Sequence, residues 1–361
     1  MFSSELVEVM IRLSEAFGPS GFEREVRELM GNLLAGSAAI SYDNLGSILA
    51  VHQGQADEPK ILLAAHLDEV GLMIRGSLPG GYLKAVPLGS WWSPALIAQQ
   101  VLIGSRNGKH RGVIGAKPPH YLEEAEKNRQ PGMGELYIDV GARSQTEVAE
   151  LGIAVGDPVV PAVKTDFLSV TNTLIGKAFD DRAGCAVLVQ VIRELSNNHP
   201  NRVIGAGTVQ EEVGMKGARA LANLVRPDIC IVLEGAPADD FPGAGGIMQG
   251  KLGAGPQLRR FDPSMIANQH LVNLAIKTAQ SIQLPYQVAV REGGGTDGSA
   301  FQIQTTGGVP TIVIGVPVRY AHSHHGIIHC GDLEATVTLV KALIQRLDAA
   351  TVNQIKLNPW G

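Results

Sequence analysis

Five segments that lie far apart in the chain carry side chains that commonly bind metal ions. The segments are ILLAAHLDEVG, KAFDDRAG, GTVQEEVG, IVLEGAPADD and VPVRYAHSHHG. Their metal-binding side chains are His66, Asp180, Asp181, Glu211, Glu212, Glu234 and His322. A single His-x-Asp sequence is not diagnostic, but the whole set supplies ligands for two divalent metals and a spare carboxylate as a base. The chemistry that this set favours is hydrolysis.

The seven side chains can be divided between two metal sites. Two adjacent divalent ions need roughly three protein ligands each, commonly with one shared carboxylate and a water between them. We expect Asp180 to be the shared ligand, with His66 and Glu234 on one metal and Glu212 and His322 on the other. Neutral imidazoles and carboxylates suit zinc or cobalt, and manganese is a further option.

The remaining residues of these segments have expected roles beside the metals. Glu211 is the predicted general base, because adjacent residues on a loop point in different directions and one glutamate can bind metal while its neighbour faces the water. Asp68, two residues after His66, is expected to orient the imidazole ring of that histidine. Asp181 remains an alternative to Asp180 as the shared ligand.

Other residues near these segments are weaker candidates for a functional role. Three further histidines follow His322, and we expect them at the surface or behind the ligands: His324, His325 and His329. The GGGTDGSA segment, residues 293–300, lacks the lysine of a phosphate-binding loop. It contains Asp297, whose role the sequence leaves open, and His120 is a candidate to reach a substrate oxyanion across a subunit contact.

Length and charge restrict the class of protein. A single core seldom grows beyond roughly 250–300 residues, so a chain of 361 residues is expected to form two unequal domains. A hydrophobic content of 45% and a charged content of 18% are typical of a folded protein. The net charge of −5, without a block of lysine or arginine, argues against nucleic acid or a membrane surface as a partner.

The start of the chain and the cysteines indicate the compartment. The segment MFSSELVEVMIRLSEAF carries charged residues within its apolar pattern, so it lacks the uninterrupted apolar core of a signal peptide. No stretch approaches the ~20 apolar residues of a membrane span. The 3 cysteines are widely spaced and odd in number, so no disulfide framework is expected. We therefore predict a cytoplasmic protein.

The spacing of apolar residues predicts an α/β fold that can bring these segments together. Strands of the kind buried in parallel sheets are predicted at 60–65, 202–209, 228–233 and 310–314. Helices are predicted at 4–17, 182–196, 218–224, 263–282 and 333–349. Ser20 and Glu23 form a capping-box pattern that predicts another helix. Because strand-to-helix loops converge at the carboxyl ends of parallel strands, we expect a mostly parallel sheet flanked by helices, with the site at one edge.

The pattern changes between residues 71 and 163. Here short alternating or apolar runs are separated by glycine and proline, which predicts a small all-β barrel or sandwich with one short helix near 144–151. The α/β pattern resumes afterwards. We therefore predict a catalytic domain made of residues 1–70 and 164–361, with an inserted β domain at 71–163.

Several motifs resemble those of a known family. The motifs are AHLDEVG, GVIGAKPPH, KAFDDRAG, QEEVGMKGA, GGTDGSAFQ and R-Y-x-H-S. In order and spacing the chain resembles the TET (tetrahedral) glutamyl/deblocking aminopeptidases, which are cytoplasmic di-metal enzymes. The resemblance implies a di-zinc exopeptidase fold, dimerisation through the inserted β region, and assembly of dimers into a hollow twelve-subunit particle that admits peptides. It assigns the base to Glu211 and the metal ligands to His66, Asp180, Glu212, Glu234 and His322.

One position departs from that family's pattern. The family usually has aspartate where this chain has Glu234, whereas glutamate is typical of related di-zinc carboxypeptidases and acyl-amino-acid hydrolases. The leading hypothesis is an aminopeptidase that removes N-terminal residues from peptides, and the alternative is a related di-metal amidohydrolase. A non-catalytic scaffold would require a missing ligand or base, and every required position holds a competent side chain.

Overall fold

The computed structural model describes residues 4–303 and 307–360. Its α-helices are α1 Ser4–Glu15, α2 Arg24–Leu34, α3 Glu124–Lys127, α4 Gln145–Glu150, α5 Phe179–Glu194, α6 Lys216–Val225, α7 Gln269–Ser281, α8 Asp297–Ile303, α9 Cys330–Ile344 and α10 Ala349–Leu357. Its strands are β1 Ala39–Tyr42, β2 Ile48–Gln53, β3 Lys60–His66, β4 Gly71–Ser77, β5 Leu83–Leu88, β6 Gln100–Ser105, β7 Gly108–Gly115, β8 Tyr137–Asp139, β9 Pro158–Pro161, β10 Asp166–Leu168, β11 Thr173–Gly176, β12 Arg202–Thr208, β13 Ile229–Pro237, β14 Gln257–Asp262, β15 Met265–Ile266, β16 Gln287–Val290, β17 Thr311–Val318 and β18 Gly326–His329.

The largest sheet in the described part of the chain has nine strands. Their order is β1-β2-β12-β3-β13-β17-β14-β15, and β16 pairs with β14. The four central strands, β12, β3, β13 and β17, run parallel to one another, and they are buried along most of their length. Strands buried in this way carry continuous apolar runs because helices cover the sheet. The predicted α/β fold with a mostly parallel central sheet is confirmed.

A second core lies within the inserted region. Strands β4, β5, β8, β7, β6 and β9 form a closed antiparallel barrel. Apolar side chains fill it, and they form a cluster separate from that of the large sheet. The predicted barrel-like β insertion is therefore confirmed as part of the fold, whereas the limits 71–163 and the role in dimerisation stay predictions. A small third sheet has the order β10-β11-β18.

Two predicted helices differ in extent from those observed. The helix predicted from 263 begins only at Gln269, because residues 257–266 form the antiparallel pair β14 and β15. The Asp262 carboxylate accepts bonds from Ser264 and from the amide of Met265, which fixes the turn between these strands. The helix predicted at 333–349 corresponds to α9, which ends at Ile344, and a further helix, α10, begins at Ala349 with the Asp348 side chain as its cap.

A buried ion cluster attaches the first helix to the loop after β3. The ammonium group of Lys177 lies 2.6 Å and 2.9 Å from the two carboxylate oxygens of Glu69, and both side chains are at most 3% exposed. The buried Arg182 guanidinium donates to backbone carbonyls near the end of α1 and after β3, namely those of Leu13, Ala16, Gly18 and Leu67. The segments on either side of Asp68 are thereby fixed to the N-terminal part of the fold.

Candidate metal centre

Neighbouring elements bring the predicted ligands to one edge of the large sheet. His66 is the last residue of β3, Glu212 follows β12, Glu234 lies in β13, and His322 follows β17. These are the four parallel central strands. Asp180 reaches the same place from the start of α5, where it and the next residue depart from helical backbone angles. The carboxyl ends of adjacent parallel strands thus supply four of the five side chains.

The distances between these side chains describe two trios joined by one carboxylate. His66 Nε2 lies 3.1 Å from Asp180 Oδ1 and 3.5 Å from Glu234 Oε1. His322 Nε2 lies 3.4 Å from Asp180 Oδ2 and 3.3 Å from Glu212 Oε1. Asp180 therefore presents one oxygen to each histidine. The structure brings all five predicted ligands together, and their roles in metal binding stay predictions.

Asp181 has different partners from Asp180. Its Oδ2 accepts a hydrogen bond from the His66 amide at 3.0 Å, and its Oδ1 accepts one from the Gly184 amide at 2.9 Å. One of its oxygens lies within 4.8 Å of ligand atoms of His66 and Glu234, whereas the corresponding cluster of Asp180 contains His66 and Glu212, so proximity alone does not select the shared ligand. Because backbone amides already engage both oxygens of Asp181, the geometry favours Asp180 as the shared ligand.

The charges at this edge suit divalent cations. Removal from water raises the pKa values of Glu211, Glu212 and Glu234. Burial opposes the protonated form of His322, but the close carboxylates of Asp180 and Glu212 outweigh it and raise the pKa of His322 to about 11. The buried Oε1 of Glu212 has no hydrogen bond among the described residues. Crowded carboxylates, imidazoles and a carboxylate oxygen without a hydrogen bond form a donor set that fits zinc, cobalt or manganese.

The Asp68 carboxylate lies behind the loop that carries the predicted base. Its Oδ1 accepts the amide of Glu211 at 2.9 Å, and its Oδ2 accepts the amide of Glu212 at 3.1 Å and the Ser20 hydroxyl at 2.6 Å. His66 Nδ1 lies 3.0 Å from the Asp68 backbone carbonyl and 3.5 Å from its carboxylate. The backbone of Asp68 therefore makes the closer contact with the imidazole ring, and its side chain contacts the loop of Glu211.

A cavity of about 600 Å³ opens over these residues. Glu211 faces it beside the ligands, and residues 293–296 of the GGGTDGSA segment form part of its wall. Apolar or aromatic side chains line much of the remaining wall, including Pro237, Ala238, Phe241, Val318 and Tyr320. The cavity therefore combines a charged floor with a largely apolar wall, as expected of a site for a small organic group.

Two arginines in the cavity wall were not predicted from the sequence. Arg259 is 4% exposed, and its guanidinium donates to Asp262 at 3.1 Å, while its buried Nε has no hydrogen bond among the described residues. Arg291 donates to Asp239 at 2.9 Å and to the Pro237 carbonyl at 2.6 Å. The sequence could have indicated Arg259 because an arginine is unusual in a short buried strand. That strand, β14, was not predicted.

The other polar residues noted in the sequence lie around the centre. His324 is buried, and burial lowers its pKa to about 4, which keeps the ring neutral. His325 is exposed, and the His329 ring accepts the Gly331 amide at the start of α9. Asp297 is buried, receives a hydrogen bond from Thr208, and has its pKa raised to about 7 by burial. His120 is exposed in a short 3₁₀ turn, Pro119–Tyr121.

The amino-acid sequence is similar to those of known aminopeptidases. Residues 46–339 match the family model described as M42 glutamyl aminopeptidase. The glutamyl aminopeptidase of Lactococcus lactis subsp. cremoris is 33% identical over 357 residues, which cover 98% of this chain and 99% of that protein. The lysyl aminopeptidase of Pyrococcus furiosus is 31% identical over 345 residues, covering 94% of this chain and 97% of that protein.

Solved structures show the same similarity in three dimensions. The TET aminopeptidase of the marine sediment archaeon Thaumarchaeota archaeon SCGC AB-539-E09 is 41% identical with a TM-score of 0.94, covering 97% of this chain and 99% of that one. The TET1 peptidase of Pyrococcus horikoshii, which can assemble into a tetrahedron or a large octahedral shell, is 32% identical with a TM-score of 0.84. The match covers 95% of this chain and 100% of that one.

The fold, the site and these similarities define a metallo-aminopeptidase, a hydrolase that acts on peptide bonds. The chain belongs to the M42 glutamyl aminopeptidase family. The resemblance inferred from its motifs is confirmed, and the alternative of a related amidohydrolase has no better support. No helix within residues 4–303 and 307–360 is long and apolar enough to cross a membrane. The cytoplasmic location stays a prediction.

Divalent metal should stabilise the folded protein, because it offsets the repulsion among the clustered carboxylates. A ligand present at 100 times its dissociation constant stabilises the native state by about 2.7 kcal/mol. We expect Zn²⁺ or Co²⁺ added to chelator-treated protein to raise the melting temperature, and Asp180→Asn to remove this rise at the same metal concentration. An equal rise in both proteins would contradict a shared role for Asp180.

Proposed function

We propose that this enzyme removes acidic residues, glutamate or aspartate, from the amino termini of peptides. The observation that carries this proposal is a cavity with carboxylates and imidazoles at its floor and two guanidinium groups in its wall. The floor provides the hydrolytic centre. The guanidinium groups provide a counter-charge for the side chain of the residue that is removed.

Two divalent ions are proposed to bind at the floor of the cavity. One would be held by His66, Asp180 and Glu234, and the other by Asp180, Glu212 and His322, as the two trios of short distances suggest. Zinc and cobalt suit this set of nitrogen and oxygen donors, and manganese is a further option. When bound, such ions polarise the scissile carbonyl and lower the pKa of the attacking water.

Glu211 is the proposed general base. Its side chain lines the cavity next to Glu212, whose carboxylate is engaged by His322. As the water oxygen attacks the carbonyl carbon, a carboxylate oxygen of Glu211 accepts the proton of that water. The same group then delivers the proton to the amine nitrogen as the carbon–nitrogen bond breaks.

Replacing the proposed base should stop turnover without loss of the bound metal. Glu211→Gln keeps the shape of the side chain but cannot accept a proton, so we expect kcat to fall by about 10²- to 10⁴-fold. Metal content by elemental analysis should match that of the parent protein, and Glu28→Gln on the surface of α2 serves as the matched control. Appreciable activity in Glu211→Gln, with control-like rates, would show that another group is the base.

The preference for an acidic residue is argued from Arg259 and Arg291. A guanidinium has five donors, and each of these groups is paired with a single carboxylate, Asp262 or Asp239. A buried cation with unused donors is stabilised by a further anion. A glutamyl or aspartyl side chain would supply that anion, whereas a lysyl side chain would add a third positive charge.

Removal of one guanidinium should change the substrate preference. A hydrogen bond to a charged group contributes about 1.5–3 kcal/mol, so Arg259→Ala should lower kcat/KM for a glutamyl anilide by about 10- to 100-fold relative to a leucyl anilide. The matched control is Arg260→Ala, since the adjacent Arg260 bonds to Gln269 and Asn273. An unchanged ratio in Arg259→Ala, or a parent enzyme that prefers a lysyl anilide, would refute this specificity.

Self-association is the last part of the proposed function. The inserted region, residues 71–163, is proposed to form a dimer contact, and dimers are proposed to form a twelve-subunit particle closed to folded proteins. The assembly of the Pyrococcus horikoshii TET1 peptidase supports this idea. Light scattering should give a mass twelve times that of the 38.2 kDa chain. A monomer or an isolated dimer at micromolar concentration would argue against the particle.

A further inference from the structure

The short segment between α1 and α2 has buried polar side chains that contact the metal-centre loop. Ser20 and Glu23 are 4% and 6% exposed. The helix predicted from these two residues is present as α2, but the assigned cap was wrong, because α2 begins at Arg24 and no side chain caps it. The described partners of the Glu23 carboxylate are the amides of Gly21, at 2.7 Å, and of Gln210, at 3.0 Å. Glu23 therefore bonds to the residue that precedes the proposed base.

Two carboxylates together hold three consecutive amides of that loop. Glu23 accepts the amide of Gln210, and Asp68 accepts those of Glu211 and Glu212 at 2.9 Å and 3.1 Å. We call Glu23 and Asp68 the carboxylate cradle. A carboxylate oxygen accepts each of these backbone amides, so each bond fixes the position of the residue that donates it. The cradle therefore fixes the backbone from which the base and one proposed ligand project.

The loop has a reason to need such support. Gln210 has a φ of +58°, in the left-handed region that is unfavourable for a residue other than glycine. A residue held there persists only where its surroundings determine the conformation. The Gln210 amide is held by Glu23, whose partner amide in Gly21 belongs to the α1–α2 connection. The orientation of Glu211 thus depends on a contact with a segment 187 residues away in sequence.

We infer that Glu23 is a positioning residue for peptide hydrolysis. It acts through the Gln210 amide to keep the Glu211 carboxylate directed at the attacking water. This inference rests on the proposed role of Glu211 as the base. Glu23 must place one acceptor oxygen at the correct distance from the loop, because two backbone amides donate to its Oε1. Its negative charge is not itself required for positioning.

A pair of substitutions distinguishes the effect of the length of the Glu23 side chain from the effect of its charge. Glu23→Gln keeps an acceptor oxygen at the same distance and removes the charge, so we expect its kcat to stay near that of the parent enzyme. Glu23→Asp keeps the charge and shortens the side chain by one methylene, so we expect kcat to fall by about 10- to 100-fold. KM for a glutamyl anilide should stay the same in both, since no group in the cavity wall has changed.

The measurements are kcat and KM of the intact protein at saturating Co²⁺, together with its melting temperature and metal content. Glu23→Ala should lose kcat as Glu23→Asp does, and the Gln and Asp variants decide the question if the Ala variant does not fold. Glu28→Asp is the matched control, because Glu28 lies on α2, the helix that follows Glu23, and pairs with Arg24 at the surface. It should retain the parent kcat.

Three results would overturn the inference. They are an unchanged kcat in Glu23→Asp, an equal loss in Glu23→Gln and Glu23→Asp, and a change in KM alone. The Glu211→Gln variant distinguishes an error in the role of Glu23 from an error in the proposed function. If Glu211→Gln is inactive while all Glu23 variants are normal, only the positioning role is wrong. If Glu211→Gln retains turnover, the assignment of the base is wrong as well.

Discussion

The structure depends on holding several carboxylates together at one edge of a sheet although they repel one another. Asp180, Glu212 and Glu234 converge there with two imidazoles, and removal from water raises the pKa values of both glutamates. Such a cluster is unfavourable unless positive charge or hydrogen-bond donors offset it. The adjacent parallel strands β12, β3, β13 and β17 provide the rigid framework, because their carboxyl ends are fixed side by side by the backbone ladder. The two cations proposed to bind there would neutralise the negative charge of these carboxylates.

The acidic residues around the centre divide into two groups by the donors that they contact. Asp68 and Asp181 accept hydrogen bonds from backbone amides at both oxygens, so the protein itself satisfies them. Asp180 instead has both oxygens directed at imidazoles, and Glu212 has an oxygen without a hydrogen bond among the described residues. Amide-bonded acids keep a loop in place, whereas acids without amide donors remain available to a cation. This distinction separates neighbours such as Asp180 and Asp181, which sequence position does not.

The sequence predicted those parts of the molecule whose signal is local. Strand β3 is a continuous apolar run that ends on His66, so both the strand and the placement of its histidine could be inferred. Strand β14 could not, because QLRRFD has no clear period, and Arg259 was missed with it. The Ser20 and Glu23 pattern was misread for a related reason. Their partners Asp68 and Gln210 lie 48 and 187 residues away, and spacing within a short window carries no information on such contacts. The proposed assembly came from the family resemblance, because no periodicity encodes it.

The one departure from the family pattern is linked to the proposed specificity. Burial raises the pKa of Glu234, and the contact with His66 and, more weakly, the positive charge of Arg259 counteract that rise. Glu234 is the proposed metal ligand, and Arg259 is proposed to bind the side chain of the substrate. The charge of each therefore affects the other. The longer glutamate still brings its Oε1 to 3.5 Å from His66 Nε2, so the trio keeps its geometry. An acidic residue bound beside Arg259 would weaken the support that this arginine gives to ionised Glu234. Under the proposed specificity, Arg259 would therefore be one group that couples substrate binding to the charge of the metal centre.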